Sequence, residues 1–192
     1  MSFRSRNVPA RLLVFALLAG AVWIGCPCPG PDTLLKEDWE GCAGLCSWTL
    51  VAGEAERVAT VHPGEHGCRL GAGARIERTQ LREKIQGLGA EDGRSCPGST
   101  AGLRAACTRY HDIEVELTAD CSAGLEVHLE LGLQDGASEV VIVSLRDSTH
   151  PDASYRRLEG HLEQAGYTEL RGVAIESAQG CTIDDLLILG PS

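Results

Sequence analysis

The chain has 192 residues, 17 Lys+Arg against 27 Asp+Glu and a formal net charge of −10. That length allows one domain with a sizeable core. The acidic balance excludes nucleic acid as a partner, because phosphates must be neutralised by clustered Lys and Arg, and it excludes binding of anionic membrane through the domain's own surface. Three of the basic residues, Arg4, Arg6 and Arg11, precede an apolar run. Without them about 14 basic residues face 27 acidic ones, near −13.

Residues 1–11 form a short basic segment, and Leu12 to Gly25 is uncharged and mostly apolar. A bilayer-spanning helix needs roughly 20 such residues, so the run reads as the h-region of an export signal. Two exits compete: Ala19-Gly20-Ala21 is an A-x-A-like cleavage site, with cleavage after Ala21, and Ile24-Gly25-Cys26 is the other. The second resembles the lipobox of bacterial lipoproteins, with Trp23 where that family usually has Leu. The resemblance implies a diacylglyceryl group on Cys26, cleavage before it, further (palmitate-type) acylation and a place in the cell-envelope membrane. The alternatives are plain secretion and an uncleaved anchor. The expected layout is a signal peptide over 1–25, a lipidated Cys and Pro-rich tether over 26–40, and a β-sandwich over 41–192. Pro27, Pro29 and Pro31 favour an extended tether.

Nine cysteines are present. An odd count in an exported chain leaves one unpaired. Lipid on Cys26 would leave eight for disulfides: Cys28, Cys42, Cys46, Cys68, Cys96, Cys107, Cys121 and Cys181. An oxidising compartment favours disulfides over zinc, and eight cysteines allow many pairings, so the connectivity stays open.

From Leu34 onward the apolar pattern has period two. Strands are expected over Cys46–Val51, Arg57–His62, Cys68–Leu70 and Ala74–Arg78. Asp112–Ala119 and Leu125–Leu133 alternate cleanly around a turn at 120–124, and read as a hairpin. Glu139–Leu145 reads as a buried strand, Tyr155–Leu162 as a strand or short helix, and Tyr167–Glu176 and Thr182–Leu189 as strands. Eight or nine strands at this spacing imply an all-β, antiparallel two-sheet sandwich stapled by disulfides.

The segment Cys46-Ser-Trp48 to Ile76, with HPGEHGCRLG inside it, and the closing GCTIDDLLIL resemble the first and last strands of jelly-roll, galactose-binding-like modules. That resemblance implies two antiparallel sheets, Trp48 on an inner face, and a carboxylate of Asp184 or Asp185 on a structural calcium ion, the one cofactor to be expected. Glu54 and Glu56 would approach from the other chain end, since calcium takes six to eight oxygen ligands.

Three further patterns bear on chemistry. His62 and His66 flank Pro63-Gly64-Glu65, which is a turn signal before it is a metal site. Gly93–Thr100 has phosphate-loop glycine spacing but Ser99 in place of the lysine, and Gly98–Gly102 mimics a nucleophile elbow without its strand–turn–helix context. Glu114, Glu116, Glu126, His128 and Glu130 would share one hairpin face, where paired carboxylates could serve glycoside hydrolysis. The sequence marks none of them as buried, and the domain is expected to be non-catalytic. The leading expectation is a lipid-anchored binding module for an envelope glycan or a protein partner. The alternatives are a secreted structural protein without a small ligand and a jelly-roll hydrolase acting on glycan. Glycan binding would expose Tyr110, Tyr155 or Tyr167 near a rim.

Overall fold

A computed structural model describes residues 31–60, 66–85, 112–121, 124–149, 155–163 and 166–191. It is an all-β, antiparallel, two-sheet sandwich of jelly-roll type, with no helix among the described residues. The seven-stranded first sheet runs β10 (Arg146–Asp147), β11 (Arg156–Glu163), β7 (Asp112–Ala119), β13 (Cys181–Gly190), β4 (His66–Leu70), β3 (Ala55–Ala59). Its seventh strand, β1 (Asp32–Glu37), pairs with β13 beyond the end of β4. The six-stranded second sheet runs β2 (Thr49–Ala52), β5 (Ala74–Arg78), β12 (Tyr167–Ser177), β8 (Leu125–Leu133), β9 (Ser138–Val143). There β6 (Glu83–Lys84) pairs with the start of β12.

The alternation in the sequence becomes the two faces of each sheet. In β7, Ile113, Val115, Leu117 and Ala119 are buried, and the polar residues between them are half-exposed. In β8, Leu125, Val127, Leu129 and Leu131 face the same core from the opposite sheet. Ile183, Leu186 and Ile188 of β13 complete its centre. Each of the Val, Leu and Ile side chains stabilises the fold by about 1.5–3 kcal/mol through loss of contact with water.

Four expectations change. First, the domain begins before residue 41: β1 lies inside the stretch expected to be tether and pairs with β13. A register shift between Thr33 and Leu35 turns both Leu34 and Leu35 inward, so β1 lacks the period-two signature. Second, β7 and β8 are not a hairpin. They lie in opposite sheets, and the 120–124 link is an arch across the sandwich. Asp120 fastens that arch: its N–H donates to the Thr182 carbonyl at 3.0 Å, and its Oδ1 accepts from the Thr182 N–H at 2.7 Å. Third, β9 is not buried. It is an edge strand, with Val140 60% and Ile142 55% exposed and Val143 facing the core. Fourth, Tyr155–Leu162 resolves as strand, β11.

Disulfides join Cys42 to Cys46 and Cys121 to Cys181. The second ties the arch after β7 to the first residue of β13, with Cα atoms 5.7 Å apart. Cys68, expected among the paired cysteines, is a free thiol with no exposed surface. It sits opposite Ile183 on β13, facing the core, where it packs as a small apolar residue. The leader, the lipobox-like Cys26, Cys28, Cys96, Cys107, His62, Tyr110 and both glycine-rich motifs lie outside the described residues.

Candidate functional site

The loop from β1 to β2 crosses between the sheets, and a buried carboxylate holds it. Glu37 is 9% exposed and faces inward. Its Oε2 accepts from Trp48 Nε1 and from Arg78 Nη1, each at 3.2 Å, and its Oε1 accepts from the Trp39 N–H at 3.3 Å. Trp39 and Trp48 stack with centroids 6.4 Å apart. Arg57 donates to the carbonyls of Trp39 and Glu40 at 2.6 and 3.0 Å, and His66 meets Glu40 through its N–H and Nδ1. These contacts fix the crossover, and Trp39 Nε1 is buried without a hydrogen-bond partner among the described residues. Burial, and then the Glu37 charge, push the Cys68 thiol up to about 12.

The carboxylates expected to bind calcium are not brought together. Asp184 occupies a bulge in β13, is 1% exposed, and accepts from Thr60 Oγ1 at 3.0 Å. Asp185 is paired in register with Thr118, on the outer side of the first sheet. Glu54 is exposed, and Glu56 is exposed and ion-paired to Arg69 at 3.1 Å. Among the described residues the one group of three potential ligand side chains is Asp120, Cys121 and Cys181. Its two sulfurs are already joined as a disulfide and cannot serve as thiolate ligands.

The acidic set divides in the same way. Glu114 and Glu116 lie on the outside of the first sheet, where Glu116 meets Arg157 at 2.9 Å. Glu126, His128 and Glu130 lie on the outside of the second sheet. Sheets in a sandwich are about 10 Å apart, with the core between them, so carboxylates from the two strands cannot flank one bond.

The second sheet's outer face carries the more open concavity, a cleft of about 910 Å³ lined by Thr79, Gln80, Leu81, Arg82, Glu130, Glu169 and Arg171. Only Glu130 was a candidate from sequence. Register explains the rest. Gly132 of β8 pairs with Glu169, and Glu130 with Gly172, on the outward row. A Cβ at Gly132 would lie 2.7 Å from Arg171 Nε, so the guanidinium crosses the strand where a side chain is missing. Arg171 is then fixed by Glu169 at 2.9 Å, by Ser138 Oγ at 2.6 Å, and by the Gly136 and Ala137 carbonyls. Gln80, at the lip, has φ 62°. Glu130 and Arg82 have no ion-pair partner among the described residues, so the lining offers an acceptor and a donor beside amide and hydroxyl groups. Two glycines inside β8 and β12 were the available sequence signal for this cleft.

Trp39, Trp48 and Tyr167 are buried, with Tyr167 donating to Glu139 at 3.3 Å, and Tyr155 is half-buried. Burial first, then the Glu139 charge, raise the Tyr167 hydroxyl above its ordinary pKa.

No protein-family model matches the sequence, and neither does any curated protein. Among solved structures, the chain is similar to the CBM22-1 xylan-binding domain of Paenibacillus barcinonensis Xyn10C. The TM-score is 0.51 and the identity 13%, over 83% of this chain and 95% of that one. It is also similar to the CBM22-1 and GH10 modules of Clostridium thermocellum xylanase 10B, with TM-score 0.49 and 9% identity, over 84% of this chain and 29% of that one. The C-terminal family 22 carbohydrate-binding module of the same enzyme gives TM-score 0.43 and 15% identity, over 84% and 96%. The first of these identifies the fold as a β-sandwich of the kind found in carbohydrate-binding modules.

Proposed function

We propose that the chain is a non-catalytic module that binds a polysaccharide chain in the cleft of the second sheet and is held at a cell-envelope membrane by lipid on Cys26. The observation that carries the binding reading is the cleft itself: Arg171 immobilised across Gly132, with Glu130, Gln80 and Arg82 left for a ligand. Its charged lining is two carboxylates and two guanidiniums, a balance that suits an uncharged sugar chain better than a polyanion. The likeness in fold to a xylan-binding domain supports a glycan over a protein partner. With β1 starting at Asp32, five residues separate Cys26 from the first strand, a span of about 20 Å at most. The lipid would therefore hold the sandwich close to the surface. Affinity electrophoresis in gels containing xylan, glucan, mannan or peptidoglycan fragments tests the reading. Retardation by a neutral polysaccharide, lost in Glu130→Ala and Arg82→Ala, supports it, and migration unaffected by every polymer refutes it.

A second reading is a structural envelope component without a small ligand. The burial of Trp39, Trp48 and Tyr167 favours it, because stacking on sugar rings needs exposed aromatic faces.

A further inference from the structure

The free edge of β9 carries an inference independent of the cleft. Strand β9, SEVVIV, pairs with β8 on one side in unbroken register, and no described strand pairs with its other side. The Leu133 N–H donates to the Ala137 carbonyl at 2.9 Å, which sets the alternation of this ladder. Glu139, Val141 and Val143 spend their backbone groups on β8, and Ser138, Val140 and Ile142 direct theirs outward. The two outward residues of the strand's middle are also its exposed apolar ones, Val140 at 60% and Ile142 at 55%. Edge strands are normally blunted by Lys, Pro, a bulge or an inward-pointing charge, and the Val140–Val143 run has none of these.

We propose that this edge pairs with the same edge of a second copy, antiparallel about a two-fold axis through Val141. In that register Val140 of one copy lies opposite Ile142 of the other, on both sides of the axis, so each exposed apolar residue meets an apolar partner. Glu139 falls opposite Val143 and not opposite a second Glu139, and its carboxylate is already engaged by Tyr167. A strand complementary to itself in backbone and apolar pairs, with no like charges opposed, is best matched by its own copy. The two six-stranded sheets would join into one.

Sedimentation equilibrium of the purified full chain tests this. Wild type is expected to dimerise reversibly, and V140K/I142K to weaken dimerisation by at least about tenfold with unchanged thermal unfolding at dilutions where both are monomeric. The register is tested separately. V140K/I142E places opposite charges across the axis twice and retains the dimer. V141C, with Cα atoms about 4.5 Å apart in a non-hydrogen-bonded pair, forms a reducible intermolecular disulfide. A chain that stays monomeric at every concentration overturns the proposal and leaves the edge to a different strand donor. A dimer indifferent to V140K/I142K overturns it too, and V141C without cross-linking overturns the register.

Discussion

The Glu37 carboxylate holds the crossover from the first sheet to the second, and its removal gives the most informative perturbation. Glu37→Ala leaves Trp48 Nε1 without an acceptor in a side chain that is 5% exposed, which costs about 1–3 kcal/mol. It also strands Arg78. That guanidinium retains 26% exposure, so water recovers part of the loss, and the whole change is expected near 3–4 kcal/mol, below the full cost of breaking a wholly buried pair. Against a domain stability of about 5–15 kcal/mol this is a large fraction. Glu37→Gln keeps an acceptor oxygen for Trp48 and loses the charge, so about 1–2 kcal/mol is expected. Arg78→Met combined with Glu37→Gln should cost less than the sum of the two, because each single variant leaves the other partner exposed to the loss. Urea unfolding followed by tryptophan fluorescence reads all of these, since Trp39 and Trp48 stack beside the carboxylate. If Glu37→Ala costs less than about 1 kcal/mol, the network is not what fixes the crossover, and the reasoning fails.

Loop length separates the two disulfides. Replacing both Cys121 and Cys181 by Ser, 60 residues apart, should cost about 4 kcal/mol, and the same change at Cys42 and Cys46, four apart, about 2 kcal/mol; equal shifts in denaturation midpoint would contradict the loop-closure account. Cys68 should resist thiol reagents in the native state and react on unfolding. Its folded pKa, pushed up to about 12, lies above the ordinary value of 9.0, so the folded state holds the proton longer. Stability should therefore fall as pH rises from about 9 to about 12, and Cys68→Ala should remove that part of the decline. Gly132→Ala should dislodge Arg171 and abolish polysaccharide retardation while the fold persists; retention of full binding would show that the position of Arg171 does not shape the cleft.

The strands that could be read from sequence are those whose burial follows from local pattern. β7 and β8 have the bounds their alternation implies, because each has one face on a core and one on solvent. Their pairing was not legible. A short polar link between two alternating runs looks the same whether it turns a hairpin or arches to the opposite sheet, and the arch here depends on Cys181 and Thr182, about 60 residues away. β9 misled for a related reason. A continuous Val-Val-Ile-Val run is the signature of a strand covered on both faces, yet nothing in its own sequence says that it lies at an edge. The cleft was largely hidden, since Arg171 gains its place only from Gly132 on a neighbouring strand.

The free thiol also changes the argument for the lipid anchor. Nine cysteines made Cys26 the natural odd one out, but Cys68 now fills that role. Setting Cys68 aside leaves eight others with Cys26 among them, an even number that no longer asks for a modified residue. The anchor proposal therefore rests on the resemblance of Ile24-Gly25-Cys26 to a lipobox. Thiol counting turns this into a test. If Cys26 carries lipid and Cys68 is reduced, seven cysteines remain, so at least one further thiol must be free. Mass spectrometry of the denatured, alkylated, unreduced protein should then show two or more alkylated cysteines together with an acyl adduct on an N-terminal Cys26. A mature chain that begins at Val22 and carries a single alkylated cysteine, Cys68, would exclude the anchor and leave the remaining eight cysteines paired.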